Sequence, residues 1–165
     1  MQCPLQTDRL RLRMWTAGDY PAYAAFYDQP EVTRFVGGQK DAEDAWRHLA
    51  MQLGHWKLRG FGYYAVEKKA TRDFVGCVGV WQSAAWPETE LGYWVVPSAQ
   101  GKGLALEAAS AVLNEAKTAP EITSLVSYID PSNGPSIRLA ERLGAIEDGS
   151  IELASFGQHL VFRHF

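Results

Sequence analysis

Glu90-Leu91-Gly92-Tyr93-Trp94-Val95-Val96-Pro97-Ser98-Ala99-Gln100-Gly101-Lys102-Gly103-Leu104-Ala105 runs from a β-like segment through a glycine turn into a helical one. Gly101 and Gly103 carry no Cβ to hold an anion away from the backbone, and a helix starting there aims its unpaired amides and positive dipole end at the same spot. A pyrophosphate cradle is one reading; a tight strand-to-helix connection is the other. Two related glycine-loop chemistries fail on spacing. A P-loop needs Ser or Thr after the lysine, but Gly103 follows Lys102. A dinucleotide fingerprint needs a third glycine, and the chain continues instead as Leu104-Ala105-Leu106.

A second strand-to-helix junction lies downstream, in Asp130-Pro131-Ser132-Asn133-Gly134-Pro135-Ser136-Ile137-Arg138-Leu139-Ala140-Glu141-Arg142-Leu143-Gly144-Ala145. Asn133 suits a helix cap, Pro135 the first turn and Gly144 the stop. Ile137, Ala140 and Leu143 form the buried stripe, with Arg138, Glu141 and Arg142 on the wet side. Two parallel strands that both end in helix N-termini define a crevice.

Working outward, Leu10, Leu12 and Met14 alternate with arginines and predict a strand over 9–15. A helix capped by Thr16 runs to the Gln29-Pro30 step, with one further turn over 32–35. Ala42, Trp46, Leu49, Leu53 and Trp56 predict a longer helix, ended by Gly60 and Gly62. Runs at 63–67, 74–82 and 89–96 read as an antiparallel meander. Helix 102–117, strand 123–129, helix 135–143 and strands 146–153 and 158–165 complete the order. The class is α/β (α+β), a mixed, mostly antiparallel sheet with helices on its faces.

At 165 residues the chain is about one domain's length. Its 47% apolar content against 21% charged residues supplies a core. The net charge of −3 without a basic run argues against a broad nucleic-acid surface. Cys3 and Cys77 fit neither a disulfide framework nor a zinc spacing, and reduced thiols suit a cytoplasmic protein. No segment reads as a signal peptide or approaches a spanning helix, so no membrane association is expected. His48, His55, His159 and His164 show no metal spacing.

Gln100-Gly101-Lys102-Gly103-Leu104-Ala105 matches the QxxGxA acetyl-CoA motif of the GNAT superfamily of N-acetyltransferases, and the segment from Asp130 resembles its next motif. Thr7-Asp8-Arg9-Leu10-Arg11-Leu12-Arg13, Glu90 to Trp94 and Gly157-Gln158-His159-Leu160-Val161 resemble the RimJ/RimL-type branch, named for ribosomal-protein N-terminal acetyltransferases. The likeness spans nearly the whole chain. It implies a single GNAT domain over 1–165, with six to seven strands, about four helices and a V-shaped splay between the fourth and fifth strands, 89–96 and 123–129.

By the same resemblance the co-substrate is acetyl-CoA, and no metal is required. Its pantetheine arm pairs with main chain of Trp94, Val95 and Val96, and its pyrophosphate sits on Gln100, Gly101, Lys102, Gly103, Leu104 and Ala105. Asn133 reaches the arm or the opened strand pair. Direct transfer needs a base, for which Glu90 stands where the branch carries a glutamate facing the acceptor. An amide of Val95 or Val96 meets the oxyanion. Many members protonate the leaving thiolate with a tyrosine at the position of Ala140; here Ser136, three residues after the asparagine, is the candidate acid.

The acceptor expected is a primary amine, on a protein N-terminus or a small molecule. Phe35, Trp81, Trp86, Tyr93, Trp94 and Phe156 are candidate walls for an apolar or peptide-like amine, and Glu31, Glu88 and Glu90 could attract a cation. A homodimer is an option the resemblance leaves open. Two alternatives stand beside the enzyme: a non-catalytic acyl-CoA sensor, supported by Ala140, and a nucleotide-binding protein using the loop at Gly101 to Gly103.

Overall fold

A computed structural model describes residues 1, 3–154 and 156–165. In chain order the elements are β1 (Leu5–Gln6), β2 (Leu10–Arg13), α1 (Tyr20–Tyr27) after a 3-10 turn, α2 (Pro30–Thr33), α3 (Ala42–Arg59), β3 (Tyr63–Lys68), β4 (Phe74–Trp81), β5 (Glu90–Val95), α4 (Leu104–Ala116) after a second 3-10 turn, β6 (Val126–Ile129), α5 (Gly134–Arg142), β7 (Ile146–Leu153) and β8 (Gly157–Arg163). The strands form one sheet in the order β1-β2-β3-β4-β5-β6-β8-β7. Every neighbouring pair is antiparallel except β5 and β6.

The sheet has eight strands where six to seven are predicted, and five α-helices where about four are predicted. The additional strand, β1, has two residues paired to β2, too few to show an alternation. The additional helix follows from proline. Pro30 cannot continue the ladder of α1, and its fixed φ starts a new turn behind an extended Gln29 at φ −104°. Downstream, Asp41 caps α3 by accepting from the Asp44 amide, and Gly60 ends that helix at φ 77°.

Both faces of the sheet centre are covered. On one, Leu104, Ala108 and Val112 of α4 pack with Tyr64, Val66, Val78 and Leu91. On the other, Tyr23 and Phe26 of α1 and Leu49 of α3 pack with Ala65 and Cys77. Two-sided burial explains why β3 and β4 read as nearly continuous apolar runs.

The layout leaves one seam open. β5 and β6 share a single register pair, Glu90 with Val126, where the Val126 amide donates to the Thr89 carbonyl at 3.0 Å. Just beyond, the Ser127 hydroxyl donates to the Leu91 carbonyl at 2.7 Å. Past that point the strands part, and α4 and α5 begin on either side of the gap.

Candidate active site

The β4 ladder decides which backbone groups of β5 are available in this gap. Trp94 is paired with Cys77, and the Val96 amide donates to the Val75 carbonyl at 3.0 Å. Alternation along an antiparallel ladder therefore turns the N–H and C=O of Tyr93 and Val95 away from β4 and into the gap. Of Trp94, Val95 and Val96, only Val95 turns its main chain into the gap; the backbone of the other two is engaged by β4. Trp94 contributes its ring instead, stacked on Phe26 at 3.8 Å between centroids.

The glycine turn opens onto the same gap. Gly101 and Gly103 sit at φ 70° and 73°, a region that favours glycine, and Gly103 is the N-cap of α4 with no side chain capping its first amides. The turn is braced from the N-terminal strand. Arg9 Nη1 donates to the Lys102 carbonyl at 3.0 Å, and Arg9 Nε to Glu107 Oε2 at 2.6 Å. The Thr7 hydroxyl donates to Glu107 Oε1 at 2.5 Å, which gives the opening Thr7-Asp8-Arg9 motif a structural task.

A cavity of about 740 Å³ lies along this surface, with Val95, Gln100, Gly101, Gly103, Leu104 and Ala105 on one wall and Asn133, Ser136, Arg138 and Arg142 on the other. Lys102 is not in its lining; its ammonium donates to the Ser98 carbonyl at 2.7 Å. The guanidinium groups come instead from Arg138 and Arg142, which the sequence reading left on the wet face of the helix. Their signal was present: two arginines one turn apart, on the helix whose N-terminus flanks the crevice. Uncapped amides, two guanidinium groups and an unpaired strand backbone make this cavity fit a long thiol carrier with a pyrophosphate.

A second cavity, of about 500 Å³, lies toward the closed end of the seam. All six aromatic residues expected as walls line it. Of the three acidic candidates only Glu90 does: Glu31 lines the larger cavity, and Glu88 is held by Arg163 at 2.8 and 3.0 Å. Burial pushes the Glu90 carboxyl up to about 7, against the indole N–H of Trp86, which donates to Oε2 at 2.8 Å. Asp130 also lines the cavity, held below the usual carboxylate range by the hydroxyl and amide of Ser132 at 2.6 and 2.8 Å. Gly92 is required here because a Cβ would collide with the Tyr63 hydroxyl.

The two cavities share Phe35, Val36, Tyr93, Trp94, Asn133 and Ser136. At this junction Ser136 Oγ donates to the Tyr93 hydroxyl at 3.2 Å, and that hydroxyl donates to the Ser136 carbonyl at 3.1 Å. Burial pushes the Tyr93 phenol up to about 12. Asn133 is the cap of α5, its side chain accepting from the Ser136 amide at 3.3 Å. Ala140 is fully buried against Ile129, Ala145 and Phe162, away from the junction.

His48 lines the smaller cavity beside Tyr23, whose hydroxyl lies 2.6 Å from Nδ1, and burial drives its pKa down to about 4. Among the described residues no group of His, Cys, Asp and Glu is arranged to hold a metal ion.

Comparison with known proteins agrees with this geometry. Residues 9–146 match the acetyltransferase (GNAT) domain family. The uncharacterized protein YkkB of Bacillus subtilis is 30% identical over 143 residues, 85% of this chain and 83% of YkkB. The crystal structure of an acetyltransferase from Agrobacterium tumefaciens superposes with a TM-score of 0.90 at 32% identity, covering 100% of this chain and 95% of that one. RimL, a ribosomal L7/L12 alpha-N-protein acetyltransferase solved with coenzyme A, shares the fold at a TM-score of 0.79 and 16% identity, covering 95% and 94%.

Proposed function

The chain belongs to the acetyltransferase (GNAT) family, and from that premise we propose that this enzyme transfers the acetyl group of acetyl-CoA directly to a primary amine. The observation that carries the reading is the meeting of two cavities of opposite chemistry at Tyr93 and Ser136, one lined by amides and arginines and the other by aromatic rings and Glu90.

In this reading the pyrophosphate rests on the amides from Gly101 to Ala105 with Arg138 and Arg142 beside it, and the pantetheine arm pairs with Val95. Glu90, as carboxylate, takes a proton from the acceptor ammonium, directly or through water. The neutral amine attacks the thioester carbon and a C–N bond forms. The gap-facing N–H groups of Tyr93 and Val95 are the donors available to the oxyanion, fixed in place by the β4 ladder beforehand. As the C–S bond breaks the nitrogen gives up its second proton to water, the thiolate takes a proton from the Ser136–Tyr93 pair, in which the phenol is the more acidic hydroxyl, and the phenolate regains its proton from water.

We assign the chain to the RimJ/RimL-type branch on its motifs at 7–13, 90–94 and 157–161, and to the cytoplasm on its two free cysteines. No helix among the described residues is long and apolar enough to cross a membrane. The non-catalytic sensor reading rested on Ala140, which lies in the core, while Tyr93 supplies a phenol at the junction.

The deciding experiment follows free-thiol release from acetyl-CoA over a panel of amines. Release with an amine supports the transferase; a protein that binds coenzyme A yet releases no thiol with any amine is a sensor.

A further inference from the structure

We infer that the acceptor is a compact monoamine whose single positive charge is carried on an aromatic or bulky apolar body, seated in the cavity of about 500 Å³ with its nitrogen at Glu90. The inference rests on the acetyltransferase reading above and narrows the acceptor it takes.

The walls come first. Trp81 is stacked on His55 at 4.1 Å and 19° between planes. Trp86 is pinned through its indole N–H to Glu90 and meets Tyr128 and Phe156 edge-on at 5.9 and 5.8 Å. Rings fixed in this way present preformed apolar faces, which favour a flat or bulky body and also attract one cation. The volume suits a small molecule rather than a folded partner.

Charge is the second constraint. Among the described residues the lining holds the carboxylates Glu90 and Asp130, the imidazoles His48 and His159, and no lysine or arginine. A free amino acid would bring its carboxylate into a site with no lysine or arginine among its described lining residues, close to Glu90 and beside a His48 that burial keeps neutral. A polyamine or aminoglycoside would bring several ammonium groups, most of them against aromatic carbon without a counter-charge, and unpaired charge is costly away from water. One cation on an apolar body pairs with Glu90, while Asp130 is already held by the Ser132 amide and hydroxyl.

The test measures thiol release and acetylated product with 2-phenylethylamine, tryptamine, phenylalanine, spermidine, kanamycin and short peptides beginning with Ala or Ser, with coenzyme A binding followed separately by thermal shift. The expected result is a kcat/KM for the two arylalkylamines at least tenfold above every other amine. Preference for an amino acid, polyamine, aminoglycoside or peptide overturns the inference and leaves the transferase standing. Thermal stabilisation by coenzyme A without thiol release from any amine overturns the transferase reading itself. Two variants address the wall. Trp81→Ala, and Phe156→Ala at a half-exposed ring that the core does not need, should each raise KM for 2-phenylethylamine several-fold. They should hold kcat within about twofold and leave the coenzyme A thermal shift unchanged. Wild-type KM in both folded variants overturns the placement of the acceptor.

Discussion

At the scale of single residues, Glu90 joins function to stability through one equilibrium. A carboxyl held near 7 is half ionised at neutral pH, so kcat/KM should rise with pH up to an inflection near 7. Glu90→Gln should lose that inflection along with about 10²–10⁴ of the rate, read from initial velocities between pH 5 and 8.5. The same shift opposes folding. The unfolded carboxyl ionises near 4.5 and the folded one near 7, so the deficit is absent below pH 4.5, grows between the two values and is complete above 7. At full burial that difference corresponds to about 3 kcal/mol; water in the open cavity reduces it to about 1–2 kcal/mol. Glu90→Gln should therefore gain in Tm over wild type as the pH rises from 5 to 8, by about 3–6 °C. Trp86→Phe removes the donor that favours the ionised form and should move the activity inflection to higher pH by up to about one unit. Glu90 enters from the sequence only through the family resemblance of the strand motif that holds it; its burial beside Trp86 is visible only in the fold. The Tyr93–Ser136 contact was not legible, since the hydroxyl meets a residue 43 positions away and no local spacing announces such a contact.

At the scale of elements, the first strand shows where pattern stops and packing takes over. Alternation in 9–15 was enough to predict β2, and it placed Arg13 on a solvated face. In the fold Arg13 ties three elements together, with Nε 2.7 Å from buried Glu67 on β3 and both terminal nitrogens on Asp19, at 2.7 and 2.8 Å, ahead of α1. Asp19 in turn accepts from the Thr16 amide at 2.8 Å. Arg13→Met would leave two buried carboxylates without their closest cation and should lower stability by about 3 kcal/mol, seen as a lower urea midpoint at unchanged m. Arg72, 3.2 Å from the same Glu67 but 69% exposed in its side chain, should cost less than about 1 kcal/mol when changed to alanine. The glycine turn, both strand-to-helix junctions and the central meander were legible because each is written locally, in turn residues, caps and periodicity. The assignment of Arg138 and Arg142 to the cavity was not, because it depends on which side of α5 the splay opens.

At the scale of the whole molecule, the sheet is two blocks, β1–β5 and β6–β8, whose seam is held at its closed end by one register pair, the Ser127–Leu91 hydrogen bond and the Glu88–Arg163 ion pair. The splay entered the sequence reading only through family resemblance, since no composition or period encodes the parting of two strands. Its physical basis is now visible: β4 engages every second residue of β5, and β6 turns away before it can engage the others. A ligand lying along β5 from the turn at Gly101 to the junction at Ser136 supplies the missing partner and ties the blocks together. Coenzyme A at a hundredfold its Kd should then add about 2.7 kcal/mol and raise Tm by about 5–10 °C, where ATP and NAD do not. Hydrogen exchange localises the effect. The Val96 amide, already bonded to Val75, should exchange slowly with or without ligand. The Val95 amide, facing the gap, should exchange fast in the free protein and at least tenfold more slowly with coenzyme A bound. Thermal stabilisation without protection at Val95 would place the ligand on the glycine turn alone, and the opened strand would then need another reason to be open.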